Sequence, residues 1–569
     1  MQLTGVRHVP PTLAAALDAL AGDDARGYTF VRPDGTEVFH SFRSLADEAH
    51  RRGAFLLEQG LRKGDRVALV VPESDDFVLT FFGAVRAGLV PVPIYPQLSF
   101  KNVEAYHDTV AHIVGASGAK LLVASATTRP FVEPALPKAG VGSRVLETTS
   151  LTGLPSARLG DDVRPEDLGF LQFTSGSTSR PKGVMVSHGN LAANSEAFML
   201  HGVRRITKVD KGVSWLPLFH DMGLIGFVIG PLFSDIEVVF LPTASFVRAP
   251  RLWLDALHRY RGTITYAPNF AYALVAKRVK DRDVEGLDLS CVRVAGCGAE
   301  PIQAKTLRDF AARLAPAGFR PEAFLPSYGM AEATLAITFM PLGSGLATDR
   351  VDPKALQSRR ADPPRGDDGG QEIVDCGLPF PEHEVAIVNE AGERVGDRVV
   401  GEIVTRGPSI CAGDFQEPEL TAASFKDGWL HTGDLGYTVD GHVFVCGRVK
   451  DIIIIRGRNY YPQDIEWAVG ELPGVRRGNV VAFGVDVAGE EQLVVCAEAH
   501  QADAEALREA VAQAVTAQFA LAVHKVEVVP QGSLPRTSSG KPQRRKTKQM
   551  FLEGSLPTAR PVERGADAG

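Results

Sequence analysis

Between positions 174 and 183 the chain runs Thr174-Ser175-Gly176-Ser177-Thr178-Ser179-Arg180-Pro181-Lys182-Gly183, a series of hydroxyls and glycines closed by one lysine. Glycine lets backbone N–H groups approach an anion, hydroxyls add donors, and a lysine supplies charge that can follow a departing pyrophosphate. Polyphosphate binding is the chemistry such a run supports. It is not a Walker loop, which needs Gly, four residues and then Gly-Lys-Ser/Thr; here Pro181 precedes Lys182 and Gly183 follows it. A flexible surface loop would share the composition. The flanks argue for more than that: Leu171-Gln172-Phe173 before the run and Val184-Met185-Val186-Ser187-His188 after it predict strand, loop, then strand or helix start.

The block LQFTSGSTSRPKGVMVSHGNL resembles the phosphate-loop motif of the adenylate-forming superfamily, which includes acyl-CoA synthetases, luciferases, peptide-synthetase adenylation domains and fatty acyl-AMP ligases. Ser179 stands where many members carry glycine. Further segments match in the expected order, and the resemblance assigns each a role. Gly298-Ala299-Glu300-Pro301 is similar to the backbone stretch that lines adenine, although a plain strand-to-helix turn would look the same. Ser327-Tyr328-Gly329-Met330-Ala331-Glu332 is similar to the motif that supplies a stacking aromatic and a carboxylate. Tyr328 offers adenine a flat apolar face, Gly329 keeps the backbone close, and Glu332, with Thr174, would hold Mg2+ through oxygen. A buried tyrosine and a glutamate at a helix N-terminus are the structural alternative.

By the same resemblance Asp434, in Trp429 to Gly436, would accept both ribose hydroxyls, Arg448 would contact ribose or phosphate, and Lys450 would be a hinge. Lys541, at the end of Pro535-Arg536-Thr537-Ser538-Ser539-Gly540-Lys541, matches a lysine that crosses the cleft to the substrate carboxylate and the α-phosphate. An anionic carboxylate attacks an anionic phosphate there, so electrostatic stabilisation should dominate the rate. His220, in WLPLFHDMGLIG, falls where adenylation meets the acyl chain. Asp221 stands where amino-acid-activating relatives place a carboxylate for the substrate amine, but its apolar surroundings favour a fatty acid.

The resemblance implies an α/β fold: a large N-terminal adenylation domain of helix-covered sheets over 1–447, a small mobile α+β lid over 448–553, and a disordered tail over 554–569. It implies ATP and Mg2+ as cofactors, an acyl-adenylate intermediate, and rotation of the lid about Lys450 to admit a thiol. WLPLFHDMGLIG, RGRNYYPQDIE and an insertion at about 344–374 are similar to fatty acyl-AMP ligases, which load an acyl carrier protein or a polyketide or peptide synthase carrier domain. In that group the insertion braces the two domains and disfavours free CoA. A long-chain fatty acyl-CoA ligase, an amino-acid-activating enzyme and a non-catalytic nucleotide-binding regulatory protein are the alternatives; Lys541, Glu332 and Asp434 speak against the last. The basic run Arg544 to Lys548 is expected to meet an acidic carrier, although solvation would explain it equally.

Positioning residues so far apart needs a large framework. At 569 residues the chain exceeds one ordinary core, and two to four domains are expected. A net charge of −7 argues against nucleic acid as a main partner. Asp18 interrupts the N-terminal Leu/Ala stretch, so no signal peptide is expected and the chain should stay in the cytoplasm. The longest apolar run, Met222 to Phe233, is too short to cross a bilayer at about 20 residues. Six dispersed cysteines show no metal or disulfide spacing. Hydrophobic patterning predicts a helix over Phe42 to Gln59 and strands at 67–71, 120–124, 213–218, 238–241 and 263–268, with helices between them. Segment 343–370, crowded with proline, glycine and charge, is expected to be an exposed insertion. Beyond Lys450, short strands near 452–455, 480–483 and 493–497 and helices at 463–472 and 503–518 predict a small α+β unit.

Overall fold

The computed structural model describes residues 9–97, 103–174, 180–206, 209–366, 370–499, 504–537 and 540–557. Ser175, Gly176, Ser177, Thr178 and Ser179 of the phosphate run lie outside the described residues, as do 558–569 of the predicted tail.

The expected alternation of strand and helix is present. Helix Phe42–Glu58 begins where the Ser41 side chain accepts from Ser44 N, and it buries Phe42, Leu45, Ala46, Ala49, Gly53 and Leu56 along one face. That face lies against helix Ser74–Arg86 at short range, since a Cβ on Gly53 would stand 2.7 Å from Gly83 O. The main sheet orders its strands Leu378–Pro379, Ala336–Phe339, Phe324–Gly329, Val294–Cys297, Ile264–Ala267, Lys211–Ser214, Glu237–Phe240, Gly27–Val31 and Glu37–Ser41, with a parallel centre and antiparallel edges. Its central strands are buried along their whole length, which is why they appear in the sequence as continuous apolar runs rather than alternating ones. A second parallel sheet orders Val90–Pro93, Arg66–Val70, Leu121–Ala124 and Arg144–Glu147.

After Lys450 the chain forms a smaller α+β domain. Strands Val475–Val487, Glu490–Ala499 and Val523–Val529 make one sheet, with helices Pro462–Gly470 and Ala504–Phe519 packed on one face through Ile465, Val469, Val511 and Val515. Phe551 of helix Arg544–Leu552 packs on the other, against Phe483.

The segment around 344–374 differs from the exposed loop expected. Thr348–Val351 pairs antiparallel with Gln371–Val374, Pro353–Gln357 forms a helix, and Val351, Leu356 and Ala361 are buried with Tyr437, Phe444 and Tyr461. Those anchors recur every five residues, off both the helical and the strand period, so patterning could not reveal them. All six cysteines are free thiols. Among the described residues no helix is long and apolar enough to cross a membrane.

Candidate active site

Strands Leu168–Thr174 and Lys182–Ser187 pair antiparallel with Thr174 opposite Lys182, so the two residues flank the hydroxyl-rich loop from both sides. Lys182 Nζ lies 2.7 Å from Asp414 Oδ2 and 3.5 Å from Glu332 Oε1. Burial opposes the Lys182 charge, but Asp414 and Glu332 outweigh it and hold the ammonium above its usual range. Burial pushes the Glu332 carboxyl up, with Lys182 opposing. Asp414 carries no motif and sequence reasoning missed it. Its segment is clipped to the phosphate-loop strand by Phe415 N donating to Gly183 O at 2.7 Å and Met185 N donating to Gly413 O at 3.0 Å. The hint in the sequence is an isolated aspartate between Gly413 and Phe415.

Two buried oxygens here, Thr174 Oγ1 and Asp414 Oδ1, lack a hydrogen-bond partner among the described residues. With Glu332 they form an all-oxygen set suited to a hard cation, and Mg2+ typically takes one or two carboxylates plus substrate phosphates. The residues therefore fit the implied ion.

At the nucleoside end, Tyr328 is 8 % exposed and its hydroxyl donates to Asp434 Oδ2 at 2.8 Å. Arg448, directly across the antiparallel ladder, donates from Nε to Asp434 Oδ1 at 3.0 Å. Both carboxylate oxygens thus already have protein partners, and a ribose would share them rather than take free ones. Gly329 lets its strand lie close to the next one: a Cβ there would stand 1.9 Å from Leu335 O. Strand Val294–Cys297 delivers Gly298 to the cleft, followed by Ala299 in the left-handed region at φ 68°. Thr334, just past Glu332, sits at φ 68° as well, so both of these loops store backbone strain. The Glu300 carboxylate accepts from Phe270 N at 2.7 Å. Pro301 is exposed, whereas Met330 and Ala331 pack into the core behind their loop and offer the cleft no side chain.

Lys541 comes from the small domain and donates from Nζ to Ala299 O, across the cleft. Burial lowers its pKa, opposed by the carboxylates of Glu300 and Asp221. The loop is held in shape from behind. Arg536 donates to Gly540 O and, at 2.7 Å, to Gly478 O, while Thr537 Oγ1 accepts from Lys541 N at 3.0 Å. Lys450 is exposed at the end of strand His442–Arg448. Arg544 is not available to a partner: it donates to Glu466 Oε1 at 2.7 Å and to Asp451 Oδ2 at 2.9 Å. The exposed basic residues that follow are Arg545 and Lys546.

His220 Nδ1 donates to Asp221 Oδ1 at 2.9 Å, and the same oxygen accepts from Met222 N at 2.7 Å. Against the cost of burial, these bonds hold Asp221 below its usual range. Asp221 is thereby engaged within its own turn. Beyond it the chain winds into the wide helical segment Leu224–Ile229, facing a similar segment, Ala197–Gly202. Between them and the main sheet opens a narrow cavity of about 70 Å³, lined by Phe198, Met199, Met222, Phe227 and Phe339 and reaching Ala299 and Tyr328. Phe198, Met199 and Phe339 were not foreseen, because apolar residues scattered over separate elements leave no local pattern.

Tyr328, hydrogen-bonded to Asp434, and Ala299, whose carbonyl accepts from Lys541, both line the apolar cavity, so these groups meet at one place. Comparison with known proteins agrees with that geometry. Residues 22–413 match the family model described as AMP-binding enzyme, and residues 450–560 match that of the AMP domain of Disco-interacting protein 2-like proteins. The chain is 39 % identical over 556 residues to a Caulobacter vibrioides protein provisionally named acyl-CoA synthetase, covering 96 % of each. It is 33 % identical to the medium-chain-fatty-acid–[acyl-carrier-protein] ligase JamA of Moorena producens, covering 93 % of both chains. A solved structure from work on fatty acyl-adenylate ligases of E. coli and L. pneumophila superposes with a TM-score of 0.90 at 36 % identity, covering 97 % of this chain and 99 % of that one. The chain belongs to the AMP-binding, adenylate-forming enzyme family, and within it to the fatty acyl-AMP ligases.

Proposed function

We propose that the protein activates a fatty acid with ATP to an acyl-adenylate, releasing pyrophosphate, and then passes the acyl group to the phosphopantetheine thiol of an acyl carrier protein or carrier domain. One observation carries this reading: Lys541 Nζ rests on Ala299 O, at the junction of the apolar cavity with the Tyr328–Asp434 wall. A carboxylate at the mouth of that cavity and an α-phosphate beside Asp434 would both lie within reach of the ammonium.

In this reading Lys541 neutralises the charge that builds up as the carboxylate oxygen attacks phosphorus and the bond to pyrophosphate breaks. Lys182 follows the leaving group, restrained by Asp414 and Glu332. Thr174, Glu332 and Asp414 would hold Mg2+, which when bound screens the phosphate oxygens. Asp434, with Tyr328 and Arg448, fixes the ribose, and Tyr328 backs the adenine. His220, oriented by Asp221, borders the point where the acyl chain meets the phosphate. Rotation of the domain beyond Lys450 would then withdraw Lys541 and open a path for the thiol.

The contacts of the 344–374 segment support a carrier thiol over free CoA. Asn459 Nδ2 donates to Gln357 O at 2.8 Å, and Arg308 of the large domain pairs with Glu372 at 2.7 Å, so the segment touches both domains and restrains the lid. Fatty-acid-dependent exchange of pyrophosphate into ATP tests the first half-reaction. Mass spectrometry of a holo carrier protein against free CoA as acceptor tests the second. The expected result is exchange with fatty acids and faster acylation of the carrier; equal turnover with CoA would return the protein to the acyl-CoA ligases.

A further inference from the structure

We infer that the carrier protein docks on the face formed by helices Thr243–Arg248, Arg251–Tyr260 and Asn269–Arg278, where Val247 and Leu252 stand exposed among arginines and lysines. The inference rests on the acyl-transfer reading of the cleft and names the surface from which the thiol would arrive.

The protein carries a net charge of −7, yet residues 247–283 hold eight Lys or Arg against three Asp and no Glu. The three carboxylates are all engaged: Arg251 pairs with Asp255 at 3.2 Å and with Asp283 at 3.4 Å, and Arg313 pairs with Asp281. Arg259 and Arg261 are taken by Glu37 and Asp288, each at 2.6 Å. Arg248, Lys277 and Arg278 are exposed and have no carboxylate partner among the described residues. Arg278 donates instead to Val247 O at 3.1 Å, which sets its side chain beside the exposed valine. Val247 is 48 % exposed and Leu252 43 %, and one tight turn joins them, with Leu252 N donating to Ala249 O at 3.0 Å. An exposed aliphatic pair ringed by uncompensated cations fits an acidic protein surface that presents an apolar residue. Arg544 cannot serve that partner, since Asp451 and Glu466 occupy it.

The spacing between this face and the reacting atoms suits a tethered thiol. Helix Asn269–Arg278 begins where Phe270 N donates to Glu300 at 2.7 Å, next to the Ala299 carbonyl that accepts from Lys541. It ends in the patch, at Arg278. Its ten residues span about 15 Å. An extended phosphopantetheine arm has a length of that order, so a carrier seated on Arg248, Lys277 and Arg278 would bring its thiol to an acyl-adenylate at Ala299 while the carrier itself stays outside. A lipid surface would match the charge but gives no reason for the spacing. The three helices all precede Lys450, so rotation of the lid would leave the face in place.

The test gives the full-length enzyme preformed dodecanoyl-adenylate and two acceptors, a holo acyl carrier protein that the wild type acylates and free pantetheine. Charge reversal in Arg248→Glu/Arg278→Glu should raise KM for the carrier by about tenfold or more and weaken its dependence on salt. Transfer to pantetheine and fatty-acid-dependent pyrophosphate exchange should stay within about twofold, which also shows that the variant is folded. Leu252→Asn should raise the carrier KM with its salt dependence kept, and Arg545→Glu/Lys546→Glu should leave it unchanged. A carrier KM that does not move in Arg248→Glu/Arg278→Glu, or an equal loss with pantetheine, overturns the proposal. So does a carrier KM that rises only in Arg545→Glu/Lys546→Glu. Loss of sedimentation with phosphatidylglycerol vesicles at an unchanged carrier KM assigns the face to lipid and overturns it too. A wild-type enzyme without fatty-acid-dependent exchange removes the reading of the cleft itself.

Discussion

The two ends of the cleft are built on opposite principles. At the phosphate end every charge already has a protein counterpart: Lys182 with Asp414 and Glu332, and Asp434 with Arg448 and Tyr328. At the cavity end the walls are mostly apolar. A charged ligand thus enters a site whose electrostatics are organised in advance, which limits reorganisation during the reaction. An apolar ligand enters a space defined by volume. Binding at the first end depends on a few directional contacts, and selectivity at the second on shape.

Removing charge at the phosphate end should have the largest effect. Lys541→Ala should lower fatty-acid-dependent pyrophosphate exchange by about 100- to 1,000-fold while sparing transfer from a preformed acyl-adenylate to the carrier, measured separately. Equal loss in both half-reactions would mean that the lysine acts through folding. Asp414→Ala should follow. It leaves the Lys182 ammonium buried with only the more distant Glu332, and urea unfolding should show a loss of about 3 kcal/mol. No change in the unfolding midpoint would show that the pair is solvated in solution.

The acyl end should respond by changing preference rather than by losing activity. A Cβ on Gly226 meets only Leu335 Cδ2 at 3.6 Å, so the first carbon of a larger side chain fits and the rest enters the cavity. Gly226→Leu should lower the hexadecanoate-to-hexanoate ratio of kcat/KM by about tenfold. An unchanged ratio would place the acyl chain elsewhere.

The smallest expected effect lies outside both ends, where the lid meets the 344–374 segment. Burial pushes Asp464 up to about 7, with Glu466 adding and a hydrogen bond from Gln371 opposing. The folded value exceeds the unfolded one, so the protonated carboxyl is the form the fold prefers. Its contribution is complete below about pH 4 and is lost as pH rises through about 7. Between about pH 6 and pH 8 the thermal midpoint should fall by about 1 °C more than in Asp464→Asn. Parallel curves for the two proteins would exclude Asp464 as the titrating group.

The same contrast explains what was legible in the sequence. The residues proposed to contact phosphate and nucleoside lie in short contiguous blocks, so Thr174, Lys182, Tyr328, Asp434 and Lys541 could be named in advance. Asp414 could not, since it reaches Lys182 only through the pairing of its segment with strand Lys182–Ser187. The cavity draws on strands and wide helical turns far apart in the chain, each contributing one or two side chains, and no window of sequence contains that arrangement. Strand and helix order was visible from periodicity, and the anchors of the 344–374 segment were not, because they follow neither period. The pairing of Arg544, first of the basic run Arg544 to Lys548, was hidden for a related reason: its acidic partners, Asp451 and Glu466, are brought in only by the fold.

Those Arg544 contacts carry a mechanical consequence. Arg544 ties the helix that follows Lys541 to Asp451, next to Lys450, and Arg536 bonds to Gly478 O of strand Val475–Val487. In the proposed reaction, rotation at Lys450 would carry Lys541 together with the sheet behind it, so vacating the cleft and admitting the thiol would be a single displacement that keeps the two chemical steps in order without a separate timing device.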